Sequence, residues 1–150
     1  MEIRIDSFAA KPATNNGTAS DNSEALAQLL ERIEQADQVG LDIFGIGEHR
    51  RKEFLDAAPI LILVAIGTKR IRLSSAVNVL RTADPVRVFQ NFATLDLISK
   101  GRAERLVGRD FFTEVFPLFG LNFQDYDQLF SEKLDLLLNI RENKFITWSG

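Results

Sequence analysis

At 150 residues, 45% of them apolar and 26% charged, the chain has an ordinary globular composition and is long enough to bury roughly 70% of its unfolded surface around one core. A net charge of −3 with scattered lysines and arginines leaves no basic field for nucleic acid or an anionic membrane. The absence of cysteine and the single histidine exclude disulfides, thiolate metal sites and a histidine metal cluster.

The chain reads as four and a half strand-helix units. Strand one is 2–8, with Ile3, Ile5 and Phe8 as its apolar members. Its Glu2 and Arg4 stand where a secretory signal needs an apolar stretch, so a cytoplasmic location is expected. The polar stretch 12–20 makes a long loop. Helix one opens on Asp21-Asn22-Ser23-Glu24, a capping-box pattern, continues on the Leu26, Leu29, Leu30, Ile33 face, and stops at Gly40. Strand two, 41–46, runs into Gly47-Glu48-His49 and sets the only histidine at a strand's carboxyl end, where parallel α/β folds gather ligands. Asp56 as a cap and Pro59 in a first turn point to a helix over 60–66, whereas the β-branched residues of that run suit a strand. With ten apolar residues, 57–66 is far short of the roughly 20 that cross a bilayer, so no membrane partner is expected. Strand three is 71–80. Asp84-Pro85 then opens helix three, which ends at Lys100-Gly101. Strand four is 103–108, and a phenylalanine-rich connection leads to helix four at 125–141, with Tyr126, Phe130, Leu134 and Leu137 on its inner face. The tail 144–148 has strand character.

Gly47-Glu48-His49, Ser74 to Leu80, Thr82-Ala83-Asp84-Pro85-Val86-Arg87, Ser99-Lys100-Gly101-Arg102 and Val107-Gly108-Arg109 follow one another at element boundaries. In that order they resemble the bacterial luciferase-like flavin-dependent monooxygenases. The resemblance implies a (β/α)8 barrel binding FMN, or coenzyme F420 in some branches, at its carboxyl face. Such barrels take about 250 residues, so 1–150 reads as one half-barrel domain of about four parallel strand-helix units, and the family pattern goes on past Gly150. By the same resemblance His49 acts in proton transfer beside the flavin. Ala76-Val77 marks a cis peptide under the flavin, Asn78 a ring-edge contact, and Arg109 a cofactor-side arginine. Read without the resemblance, His49 is a strand-end hydrogen-bonding group, Asn78 a bulge or solvated position, and Arg109 a surface cation.

Departures from the pattern point to a fragment altered, by engineering or otherwise, to stand alone. Arg50 replaces a second histidine, and Asp110-Phe111 are bulky where small residues let a cofactor approach. Arg4 and Arg105 fall inside strands, so each is either wet or paired. Barrel phosphates usually sit after strands seven and eight, which leaves cofactor binding weak or absent here. The primary expectation is a self-associating scaffold, a homodimer or homotetramer, whose barrel-facing apolar side and two strand edges need cover. The alternative is an active FMN-dependent monooxygenase with a site rebuilt from two half-barrels. A dinucleotide-binding doubly wound domain is disfavoured, because Gly45-Ile46-Gly47 lacks the third glycine of that fingerprint.

Overall fold

A computed structural model describes residues 1–10, 19–49, 54–109 and 113–149. The elements are β1 (Arg4–Phe8), α1 (Ala19–Val39), β2 (Ile43–Gly47), α2 (Ala57–Gly67), β3 (Arg72–Ser75), β4 (Asn78–Val79), α3 (Pro85–Ser99), β5 (Ala103–Glu104), β6 (Val107–Gly108) and α4 (Tyr126–Glu142). Short 3-10 turns occupy Leu80–Thr82, Thr113–Phe119 and Phe123–Asp125. Strands β1, β2, β3 and β5 form one parallel sheet in that order, while β4 and β6 pair in parallel beyond it. This is the α/β half-barrel read from the sequence.

Local chemistry sets most boundaries. The Asp56 carboxylate accepts from the Ala58 amide at 3.1 Å and opens α2, which settles 60–66 as helix. Asp84 accepts from the Arg87 amide at 2.9 Å with Pro85 at the first helical position, and Lys100 and Gly101, both at positive φ, end α3. Gly40, at φ +87°, turns the chain from α1 into β2. Four boundaries differ from the sequence reading. Helix α1 begins at Ala19, so Asp21 lies in its first turn and is not its cap. The expected strands 71–80 and 103–108 are each broken in two, the first at Ala76-Val77, which is a cis peptide. The tail 144–148 forms no strand; it is exposed beyond α4 with no neighbouring ladder to pair with.

The core lies between the sheet and its helices. Ile46, Ile71 and Leu73 are fully buried against Ile33, Leu61, Leu95 and Leu137. Each such side chain contributes about 1.5–3 kcal/mol. The opposite, barrel-facing side is polar, not apolar as the sequence reading expected. Asp6, Gly45, Ser74 and Glu104 stand in register on it. Arg4 pairs with Asp6 (2.7 Å) and Glu104 (3.0 Å) and donates to the Ser75 carbonyl (3.1 Å), while Arg72 joins Glu104 (3.5 Å) to Glu2 (2.7 Å). Arg4 is therefore a paired strand arginine. Arg105 lies on the helix side, its guanidinium 5.7 Å from the centre of the Phe92 ring; burial, with Arg141 nearby, lowers its pKa.

At the other end of the strands two side chains lock the helices to the sheet. Asp37 accepts from the amides of Lys69 (2.9 Å), Arg70 (2.8 Å) and Ile71 (2.7 Å). Arg102 donates to the carbonyls of Ala65 (2.9 Å), Thr68 (3.0 Å), Ile71 (2.8 Å) and Ser99 (2.9 Å).

Candidate functional site

The strand ends bring the candidate residues to two different surfaces. Side chains alternate along a strand, so Phe8, Gly47, His49 and Ala76 fall on the barrel side. The His49 imidazole stacks on Phe54, ring centres 4.5 Å apart and planes 12° apart, and Phe54 meets Phe8 edge-on at 5.7 Å. Phe54 is held there by a bridge to Ala10 and a 2.9 Å bond from the Leu55 amide to the Ala9 carbonyl. Two glycines make the close approach possible. A Cβ on Gly47 would lie 2.6 Å from the Phe8 ring and 2.9 Å from the Ala76 carbonyl oxygen, and one on Gly108 would lie 2.6 Å from a Val77 methyl. His49, Ala76 and Val77 thus share one mouth with an aromatic shelf. The sequence reading took Phe8 only as an apolar member of strand one and left Phe54 out, although an aromatic residue at the end of strand one was a usable signal for the mouth.

Asn78 and Arg109 lie behind that mouth. Asn78 pairs in register with Val107, which packs on the core, so its side chain points toward the helices. Its Nδ2 donates to Glu48 Oε1 at 2.6 Å while the Val79 amide donates to Glu48 Oε2 at 3.2 Å. Glu48 and Asn78 line a recess of about 230 Å³ with Asp56, Asp84 and Arg87. Arg109 is exposed, paired with Asp127 of α4 at 2.5 Å, its guanidinium 4.8 Å from the Phe130 ring centre. Close by, Lys133 of α4 donates to the carbonyls of Arg81 and Ala83. Burial lowers its pKa, against the opposing pull of Asp84. Arg81 itself is buried, 3.5 Å from the Tyr126 ring centre. These contacts bind α4 to the back of the site. Asp110, Phe111 and Arg50 lie outside the described residues.

Measured against a planar redox cofactor, the mouth fits one wall of a site. It offers an imidazole, a stacked ring and backbone at 76–77, whereas the recess of about 230 Å³ behind Glu48 and a groove of about 480 Å³ along the outer side of β1 lie elsewhere. No metal-holding cluster of His, Asp or Glu occurs among the described residues, nor is any helix among them long and apolar enough to cross a membrane.

Parallel strands followed by helices, with an imidazole and glycines at their carboxyl ends, define one half of a (β/α)8 barrel of the kind that builds its chemistry on that face. Residues 6–150 match the luciferase-like monooxygenases, and the chain belongs to that family. It is 28% identical over 120 residues to an alkanal monooxygenase alpha chain of the Kryptophanaron alfredi symbiont, covering 78% of this chain and 34% of that protein. The monooxygenase RslO1 from Streptomyces bottropensis overlays all of this chain with 46% of its own at a TM-score of 0.87 and 23% identity. The oxygenating constituent of 3,6-diketocamphane monooxygenase from Pseudomonas putida, solved with FMN, overlays all of this chain with 42% of its own at 0.85 and 18% identity. The chain spans between a third and a half of the length of these proteins.

Proposed function

We propose that this chain, as a single half-barrel domain, is a self-associating scaffold that carries one wall of a luciferase-like flavin site, with full catalysis requiring a second half. What supports this reading is the sheet order, which ends on β1 and β5. Both edges offer backbone for pairing with another copy. We place a second contact surface on α2 and α3, where Leu63, Ile66 and Leu97 are exposed; two surfaces permit a tetramer. With a second half in place, FMN or F420 would supply the redox chemistry. This chain's own part would be to lay backbone at Ala76-Val77 and the His49 imidazole against its ring, where His49 would move a proton. Asn78 and Arg109 serve this site from behind, through Glu48 and α4, and not by touching the ring.

Weak or absent FMN binding is expected. Titrating FMN and following its fluorescence, beside the solution mass from light scattering, tests both halves of the proposal. Stoichiometric binding at low micromolar FMN would instead favour the second reading, an active monooxygenase with its site rebuilt from two half-barrels, which the His49–Phe54 stack supports. In that event His49→Ala abolishes turnover of reduced flavin with oxygen and a long-chain aldehyde while leaving the fold intact.

A further inference from the structure

The ladder between β2 and β3 runs out one step before the mouth. Its last rung is Ile46 against Ser75, closed by the Ala76 amide on the Ile46 carbonyl at 2.9 Å, so no regular pairing fixes 47–49 against 76–79. Past Val77 the chain changes neighbour: Asn78 turns to β6, its amide donating to the Leu106 carbonyl at 2.7 Å. The Val77 carbonyl and the Val79 amide, one residue to either side, face the other way, toward the end of β2. Glu48 meets both. Its own amide donates to the Val77 carbonyl at 3.4 Å, and its Oε2 accepts from the Val79 amide at 3.2 Å. Its Oε1 accepts from Nδ2 of Asn78 at 2.6 Å, and Asn78 is only 3% exposed. One residue thus does for this short edge what a neighbouring strand does for a longer one.

The arrangement demands a carboxylate of this length. Two donors, a backbone amide and a side-chain amide, point at one group, and both of its oxygens must accept. A glutamine of the same shape turns an NH2 toward one of them, donor against donor, and an aspartate is a methylene too short. The residue that follows is His49, whose imidazole stacks on Phe54 with ring centres 4.5 Å apart. We infer that Glu48 is the positioning residue of this mouth: its carboxylate fixes the end of β2 to 77–79, and so sets the His49 imidazole against Phe54 and the backbone at Ala76-Val77, without itself touching a ligand.

This rests on the reading of the mouth as one wall of a flavin site, but its test needs no flavin. The chain has a single histidine, so its two carbon-bound ring protons give one assignable pair of NMR signals, and the face of Phe54 displaces them upfield. Wild type, Glu48→Gln and Asp37→Asn are each titrated with pH, so that the signals are compared in the same protonation state, and each is melted. Glu48→Gln is expected to lose most of the upfield displacement while remaining folded. Asp37→Asn, whose contacts lie at the other end of the strands, is expected to melt lower with the His49 signals unmoved. If Glu48→Gln also melts lower with unmoved signals, or if both variants move them alike, Glu48 is a stabilising group only and the inference is overturned. Should Glu48→Gln fail to fold, Asn78→Ala decides the matter. It removes one of the two donors and keeps the Val79 bond, so it is expected to move the signals part of the way, and unmoved signals overturn the inference there too. Because the imidazole is read on the free chain, a failure of the wild type to bind FMN counts against the flavin reading alone.

Discussion

Asp37 illustrates how one side chain holds an element junction. Burial alone would raise its pKa, but the amides of Ile71, Lys69 and Arg70 outweigh that and hold the carboxyl below its ordinary value. The unfolded chain then binds the proton more readily than the native one. Its stabilisation is complete above the unfolded value of roughly 3.9 and is lost as pH falls through the lower native value. Asp37→Asn is expected to cost about 1–3 kcal/mol near neutral pH, and urea titrations should show the gap to wild type closing below about pH 4. A gap that does not change with pH would assign the loss to packing. None of this was legible in the sequence, where an aspartate late in an amphipathic helix reads as solvated. Arg102 was equally hidden: the sequence marks it as part of a motif, whereas its role comes from carbonyls at the end of α2, just before β3 and at the end of α3. His49 was visible because being the only imidazole and ending a strand are both properties of the chain itself.

Among the elements, the helices were read best. Asp56, Asp84, Pro85, Lys100 and Gly101 act on their own neighbours, so local chemistry suffices. The strands were read less well because their limits depend on partners far away in sequence. The ladder stops at Ala76-Val77, and Asn78 pairs instead with Val107. The side on which Asn78 and Arg109 fall was hidden for the same reason. The approach of β1 to β2 at the mouth gives a direct test. Gly47→Ala would set a methyl 2.6 Å from the movable Phe8 ring but also 2.9 Å from the Ala76 carbonyl oxygen, which is backbone. A loss of about 1–3 kcal/mol is expected from this overpacking. Thermal melts would read it, and near-ultraviolet circular dichroism would register displacement of the Phe8–Phe54 pair. An unchanged melting temperature would mean that β3 yields freely there.

For the molecule as a whole, the half-barrel was legible in the succession of strands and helices, and the polarity of its inner face was not. That face is ionic because Arg4, Asp6, Arg72 and Glu104 meet across three strands, a coincidence of register that no local pattern announces. The outer helices make a separate prediction. Leu63 and Ile66 on α2 are 50% and 75% exposed, so Leu63→Glu with Ile66→Glu should change monomer stability by no more than about 0.5 kcal/mol per site. The same change should reduce a tetramer to a dimer in light scattering, and a tetramer that survives it would move the second contact away from α2. The charged inner face also carries a calorimetric consequence. Hydration of apolar surface raises heat capacity and hydration of polar surface lowers it, so burying ion pairs contributes with the opposite sign to burying an aliphatic core. Exposing these ion pairs on unfolding would therefore offset part of the positive heat capacity that the aliphatic core contributes.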